Sequence, residues 1–252
     1  MKKTILACDL DNTLIYSYKH RTPDDVCVEL LEGQEQSFIT AKTLVQLRQL
    51  SENIQLVPVT TRSQAQYLRL VWPSGIPELA VTTNGGLLLY AGEPDVVWRA
   101  KSLKLAAEFR PALHKLAEQL DVAQLFHHRM VDEIYLYVVC DDVAAADKCM
   151  ADFAEFTLKS GLQVCRGGRK VYFLPPNINK GVAVQRLRSM FPNSRLVAAG
   201  DSELDLPMLE EADIALLPNA ELAAQLQNPH KYVCPRSEHF AEFVLAMAAD
   251  NA

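Results

Sequence analysis

No apolar run in this chain approaches the length of a membrane span, so a bilayer-embedded protein is not expected. No block of lysine and arginine stands out, and the formal net charge is −6, which gives a nucleic-acid partner little support. A phosphorylated substrate stays open, because local cations decide that and the total charge does not. The six cysteines, Cys8, Cys27, Cys140, Cys149, Cys165 and Cys234, are scattered. They form no Cys-x-x-Cys pair and no His/Cys cluster of zinc spacing, so they read as reduced thiols, mostly in the core. Internal repeats and low-complexity tracts are also lacking. The first seven residues resemble the start of a signal peptide, but Asp9 and Asp11 interrupt the apolar region too early. A cytoplasmic location is therefore the expectation.

What remains is an ordinary globular composition: 252 residues, 49% hydrophobic and 22% charged. That length holds one large domain or two modest ones. Strand-like and helix-like segments alternate, which points to α/β with a mostly parallel sheet. Leucines at 44, 47 and 50 have helical spacing, Leu56 to Val59 reads as a strand, and Ser63 to Val71 as a helix. Pro58 removes a backbone donor inside that strand, which predicts a bulge or an unpaired position.

The middle of the chain reads differently. Leu87 to Tyr90 and Val96 to Trp98 flank a hairpin-like Ala91-Gly92-Glu93-Pro94, and a long helix is predicted over about 102–120. A strand follows at 134–139, a helix at about 143–159, and a hairpin across Gly167-Gly168. Turn-rich Asn84-Gly85-Gly86 and Pro175-Pro176-Asn177 bracket these antiparallel features, so a domain over 87–174 inserted into a core of 1–86 and 175–252 is expected. The βα alternation then resumes, with a helix over 180–190, strands at 196–199 and 213–217, and a closing helix at about 238–249.

Four polar signals fall after strands or at helix starts, where open α/β sheets place ligands. The first is Asp9-Leu10-Asp11-Asn12-Thr13. If the strand ran through it, a period of two would put both carboxylates on one side. Carboxylates so close repel unless a cation sits between them or a proton settles on one. That suits a hard divalent metal and an anionic substrate, with one carboxylate as nucleophile and the other as acid and base. The others are Thr60-Thr61-Arg62, Lys180-Gly181, and Gly200-Asp201-Ser202-Glu203-Leu204-Asp205. Taken singly, each reads as a turn, a helix cap or a solvated lysine. Their order and shared placement make the set specific.

In that order the residues resemble the haloacid dehalogenase-like phosphohydrolase superfamily, with Asp-x-Asp-x-Thr at 9–13, Thr60, Lys180, and an acidic Gly-Asp motif carrying Asp201 and Asp205. The insertion between Thr60 and Lys180 is similar to the type C2 cap of the Cof-type and sucrose-phosphatase-like branches, and Asn84-Gly85 to its entry turn. The resemblance implies a Rossmann-like three-layer core with an α+β cap. It implies Asp9 as nucleophile forming an aspartyl-phosphate, Asp11 as acid and base, and Thr60 and Lys180 as phosphate and charge partners. It also implies magnesium bound by Asp9, Asp201, the backbone carbonyl of Asp11, and Asp205 directly or through water. Thr13 would support the first loop, and backbone amides near Leu10 and Thr61 would hold the phosphate. Asn12, Thr61 and Leu204 depart from the commonest pattern. Asn12 tolerates turn conformations, whereas Leu204 makes the role of Asp205 less secure.

Selectivity is expected from the inserted domain closing over Asp9. Arg166-Gly167-Gly168-Arg169-Lys170 carries three cations on a tight turn, and Arg169 and Lys170 are its candidate substrate contacts, with Thr61 and Asn84 in the core. His127-His128-Arg129 is a second, weaker candidate whose default reading is an exposed loop, and Arg99 and Lys101 are weaker still. The expected activity is a magnesium-dependent phosphomonoesterase acting on a small sugar phosphate. A phosphomutase using the same intermediate and a non-catalytic phosphometabolite binder stay as alternatives, and the oligomeric state is open.

Overall fold

The computed structural model describes residues 4–123 and 127–251. In chain order the elements are β1 (Thr4–Cys8), β2 (Tyr16–Ser17), β3 (Val26–Leu31), β4 (Gln34–Ile39), α1 (Ala41–Arg48), β5 (Ile54–Pro58), α2 (Gln64–Tyr67), β6 (Leu79–Thr82), β7 (Leu87–Tyr90), β8 (Glu93–Pro94), α3 (Val96–Ala106), α4 (Arg110–Ala123), β9 (His127–Val131) and β10 (Tyr135–Val139). After these come α5 (Val143–Asp152), α6 (Ala154–Ser160), β11 (Gln163–Gly167), β12 (Lys170–Leu174), α7 (Lys180–Met190), β13 (Arg195–Ala199), α8 (Leu206–Glu210), β14 (Ile214–Leu217), α9 (Ala220–Ala224), β15 (Lys231–Val233) and α10 (Phe240–Asp250).

The chain forms two compact units, one of residues 1–94 and 180–252, the other of residues 95–179. The first is built on a parallel sheet of order β15-β14-β13-β1-β5. Every residue of β1 is buried, as expected of a strand covered on both faces. Leu6, Cys8, Val197, Ala199, Ile214 and Leu216 alternate along their strands into one core with Val244, Leu245 and Ala248 of α10. Beyond β5, Val59 bridges Val81 and continues the parallel pattern to β6. Residues 87–94, expected in the insertion, stay with this first unit because β7 pairs antiparallel with β6.

The second unit has an antiparallel sheet of order β11-β12-β10-β9. Leu136, Val138, Val171 and Phe173 form its core with Leu113, Leu116 and Leu120 of α4 and Ala146 and Cys149 of α5. All six cysteines are free thiols, and Cys8, Cys140, Cys149 and Cys234 are buried. Among the described residues no helix is long and apolar enough to cross a membrane.

Several sequence expectations need correction. Val96 to Trp98 is helix rather than strand, because Asp95 caps it: its Oδ1 accepts from the Trp98 N–H at 2.5 Å. The helix expected over 102–120 is broken at 107–109, and α4 restarts with Pro111 in its first turn, where a missing N–H costs no bond. The helix expected over 143–159 breaks at Phe153. Residues 63–71 give only the short α2, because Val71 donates to Val28 O and the chain turns to run beside β3. His127-His128-Arg129 lies in strand β9, paired with β10, and is not a loop. Pro58, expected to bring a bulge or an unpaired position, brings the second: the register with β1 is unbroken, the Val59 N–H bonds Cys8 O, and position 58 presents its missing donor to the other side. The antiparallel β2-β4-β3 sheet was not foreseen.

Candidate active site

The site lies entirely within the first unit, at the carboxyl ends of β1, β5 and β13. Strand β1 stops at Cys8, so the period of two does not extend to Asp11. Instead Leu10 O accepts from the N–H groups of Thr13, Leu14 and Ile15, and Asn12 takes a left-handed φ of 62°. The tight turn sends the two carboxylates to different partners.

Asp9 is buried and points at Lys180, whose Nζ lies 2.5 Å from Asp9 Oδ1 and 2.5 Å from Asp205 Oδ1. Lys180 is the first residue of α7 and is 1% exposed. A buried ammonium at a helix N-terminus is unfavourable by itself, both by desolvation and by the dipole. Burial accordingly pulls its pKa down, but Asp205 and Asp9 outweigh that and hold it above the ordinary lysine value. Asp205 is fully buried, and its other oxygen, Oδ2, accepts from Asp201 N at 3.2 Å, Ser202 N at 3.0 Å and Ser202 Oγ at 2.7 Å. It thus holds both the lysine and the loop that carries Asp201. Gly200 permits this approach, since a Cβ there would overlap the Asp205 side chain.

Thr13 Oγ1 lies 3.4 Å from both Asp9 Oδ2 and Asp201 Oδ1, bridging the first loop to the last motif. Asp9, Asp201 and Asp205 each bring a carboxylate oxygen within 4.8 Å of the others. Burial pushes the Asp9 carboxyl well above the usual carboxylate range; Lys180 pulls it back, and Asp205, Asp201 and Asp11 push it up again. Burial, then the neighbouring Asp205, push Asp201 up to about 6. Three carboxylates against one ammonium leave an excess of two negative charges. A divalent cation matches that excess and the all-oxygen donor set.

Thr60 is buried just past β5. Its N–H bonds Val81 O at 2.9 Å, and its Oγ1 accepts from the Arg62 N–H at 3.1 Å. Thr61 is half-buried beside it. Asn84 is buried in a left-handed conformation (φ 54°), as is Thr83 (φ 56°), a strained state for a β-branched residue. Their N–H groups donate to Thr60 O (3.0 Å) and Arg62 O (2.7 Å), which ties the 83–85 turn to the 60–62 segment.

Asp11 stands apart from the acidic cluster, with its side chain 51% exposed. Arg62 grips it with two bonds, Nε to Oδ2 at 2.9 Å and Nη2 to Oδ1 at 2.8 Å. Behind Arg62 sits buried Glu29, held also by Arg69 and Ser37. Sequence reasoning gave no role to Arg62, although it was in view directly after Thr60-Thr61. Glu29, a lone acid among the apolar residues of β3, was missed altogether.

Arg169 and Lys170 belong to the second unit. Arg169 Nη1 donates to Asp141 O at 3.1 Å, Lys170 lies 5.4 Å over the Tyr137 ring, and Arg166 pairs with Asp147 at 2.9 Å. The three cations of that hairpin are engaged separately. Arg99 and Lys101 are exposed on α3. An open depression of about 1190 Å³, lined by Thr4, Arg195, Ile214 and neighbours, lies at the opposite, amino-terminal ends of the core strands and holds none of these groups.

A buried aspartate at a strand end, a buried lysine and an acidic loop on a parallel sheet are the arrangement of a haloacid dehalogenase-like phosphohydrolase. The family model described as sucrose-6F-phosphate phosphohydrolase matches residues 2–228, and the chain belongs to that family of sugar-phosphate phosphatases. The fold is similar to the sucrose-phosphatase of Synechocystis sp. PCC6803, solved with sucrose and phosphate, with a TM-score of 0.66 and 19% identity over 98% of each chain. It is also similar to the trehalose-6-phosphate phosphatase of Aspergillus fumigatus, with a TM-score of 0.55 and 15% identity over 99% of this chain and 93% of that one. A glucosyl-3-phosphoglycerate/mannosyl-3-phosphoglycerate phosphatase from Persephonella marina is 34% identical over 76 residues, a match spanning 28% of each chain.

Proposed function

We propose that this protein is a magnesium-dependent phosphomonoesterase that hydrolyses a small sugar phosphate through an aspartyl-phosphate on Asp9. The observation that carries this reading is the convergence of Asp9, Asp201 and Asp205, the first and last of them on the buried Nζ of Lys180. The donor set fits magnesium: Asp9 and Asp201 would hold it with the backbone carbonyl of Asp11, and Asp205 would contribute directly or through water. Bound there, the ion supplies positive charge that lets phosphate approach an anionic nucleophile.

The remaining chemistry belongs to the chain. A carboxylate oxygen of Asp9 bonds to phosphorus as the bond from phosphorus to the sugar oxygen breaks, and protonated Asp11 gives its proton to that oxygen. Asp11, now a carboxylate, takes a proton from water. The water oxygen attacks phosphorus, the Asp9–phosphorus bond breaks, and phosphate leaves with Asp11 reprotonated. Lys180 offsets the charge of Asp9 throughout, and Thr60 donates to a phosphoryl oxygen.

Sugar phosphates are the favoured substrate class because the matched family and the named relatives act on them. Sucrose 6-phosphate, trehalose 6-phosphate and glucosyl-3-phosphoglycerate head the panel to test. Release of inorganic phosphate from one of these with magnesium, and its loss in Asp9→Asn, is the expected result. Activity confined to nucleotides or phosphoproteins, or turnover that survives in Asp9→Asn, would sink the proposal.

A further inference from the structure

We infer that Arg62, anchored by Glu29, is a positioning residue that aims the Asp11 carboxyl group and supports it as it gives up its proton. The inference rests on the reading of Asp11 as the acid and base.

Asp11 sits on a turn with its side chain half exposed. The Arg62 fork fixes the plane of its carboxylate: one nitrogen engages each oxygen, at 2.9 and 2.8 Å. Such a fork uses one lone pair per oxygen and leaves the other free for a proton. Arg62 is itself immobilised. Its side chain is 12% exposed, Nη2 also reaches Glu29 Oε2 at 2.9 Å, and its own N–H is tied to Thr60 Oγ1. Glu29 in turn receives Ser37 Oγ at 2.6 Å and two bonds from Arg69, at 3.0 and 2.9 Å. The row Asp11, Arg62, Glu29, Arg69 alternates in sign and is neutral overall. A structural ion pair needs none of this backing, and exposed pairs contribute little to stability. A row that ends on the one reactive carboxylate outside the metal cluster is better explained by that carboxylate's task. As the proton moves to the leaving oxygen, negative charge grows on Asp11, where two guanidinium N–H groups already point.

The test uses leaving groups that differ in their need for a proton. With magnesium, kcat/KM is measured on phenyl phosphate and on p-nitrophenyl phosphate, whose nitrophenolate departs readily unprotonated. This ratio reports only the steps up to departure of the leaving group, so hydrolysis of the intermediate does not enter. Arg62→Ala is expected to lower kcat/KM about 100-fold on phenyl phosphate but less than about 10-fold on p-nitrophenyl phosphate, within the range of general acid catalysis. Glu29→Gln is expected to show the same contrast more weakly. Arg62→Lys, which keeps the charge without the fork, should not restore the phenyl phosphate rate. It also serves as the readout if the alanine variant does not fold. Equal losses on both substrates would overturn the inference and point to phosphate binding by Arg62; full activity in Arg62→Lys would overturn the role of the fork. Asp9→Asn, run alongside, separates the levels: if it keeps turnover, the reading of the whole site fails, and if it is inactive while the contrast is absent, only this inference fails.

Discussion

Replacing Lys180 by methionine removes the ammonium while keeping most of the stem, so the structure assigns the effect to charge. Lys180 Nζ is 2.5 Å from each of two buried carboxylates, Asp9 and Asp205. Removing one partner of a buried ion pair leaves uncompensated charge and costs about 3–5 kcal/mol. For a chain of this length each kcal/mol moves Tm by roughly 2–4 °C, so a fall of roughly 6–20 °C is expected in metal-free protein at pH 8. The pH dependence gives the sharper check. The pKa of Lys180 is raised in the folded state, so its contribution is fully present below the ordinary lysine value and constant between pH 5 and 8. In the variant, Asp9 loses the cation that pulls its raised pKa back, so the folded state takes up a proton that the unfolded state does not bind. The variant therefore gains stability as pH falls, and the gap to the parent protein should narrow by pH 5. Thermal unfolding in EDTA at both pH values measures this. A variant that melts within about 2 °C of the parent at pH 8, or a gap that stays constant down to pH 5, would refute the reasoning.

Other perturbations probe the same site and its frame. Asp201, raised from the ordinary 3.8 to about 6, costs the metal-free fold roughly 3 kcal/mol at pH 7, at 1.36 kcal/mol per pH unit. The folded state there binds more protons than the unfolded one, so metal-free protein should become more stable as pH drops from 7 toward 4, and Asp201→Asn should flatten that slope in a series of melts. Magnesium at 100 times its Kd should stabilise the parent by about 2.7 kcal/mol and leave an Asp9→Asn, Asp201→Asn double variant unmoved, as read by Tm with and without the ion. Gly200→Ala should cost about 1–3 kcal/mol in denaturant unfolding, because the new Cβ overlaps Asp205. Asp95→Ala removes the cap of α3 and should cost about 1 kcal/mol with no effect on kcat/KM, since Asp95 touches no site residue described above.

The candidate site was legible in the sequence to the extent that it consists of polar and charged groups at strand ends and helix starts. Asp9, Thr60, Lys180 and Asp201 each follow or open an element whose apolar pattern is plain, and a parallel sheet brings such ends together. What the sequence did not show depends on pairing across distance. Glu29 is one acid in a strand until its neighbours are known, and Arg62 is one arginine after a threonine until Asp11 is placed 51 residues away. The same holds for the β2-β4-β3 sheet, whose strands carry no long apolar run: β4 begins Gln34-Glu35-Gln36. Residues 96–98 misled because two valines and a tryptophan favour strand, while the cap that decides for helix is a single preceding aspartate, a local bond that outweighs propensity.

Two aspartates one residue apart pose an electrostatic problem, and sequence reasoning offered two solutions, a cation between them or a proton on one. The structure adds a third, which is to separate them. The turn after Cys8 sends Asp9 inward to Lys180 and Asp11 outward to Arg62, so each carboxylate has its own cation before any substrate or metal arrives. The two cations differ in kind, as do the tasks proposed for the two aspartates. Lys180 presents a compact charge, shared with Asp205, that suits the attacking carboxylate proposed for Asp9. Arg62 presents a planar fork that fixes orientation and leaves a lone pair on each oxygen for proton traffic. Exchanging them should therefore fail in both directions. Lys180→Arg cannot place a wider guanidinium in a space bounded by two carboxylates at 2.5 Å. Arg62→Lys keeps the sign of the charge but loses the plane. Were either swap to leave kcat/KM on phenyl phosphate intact, net charge alone would suffice, and the division of labour between the two aspartates would have to come from elsewhere in the site.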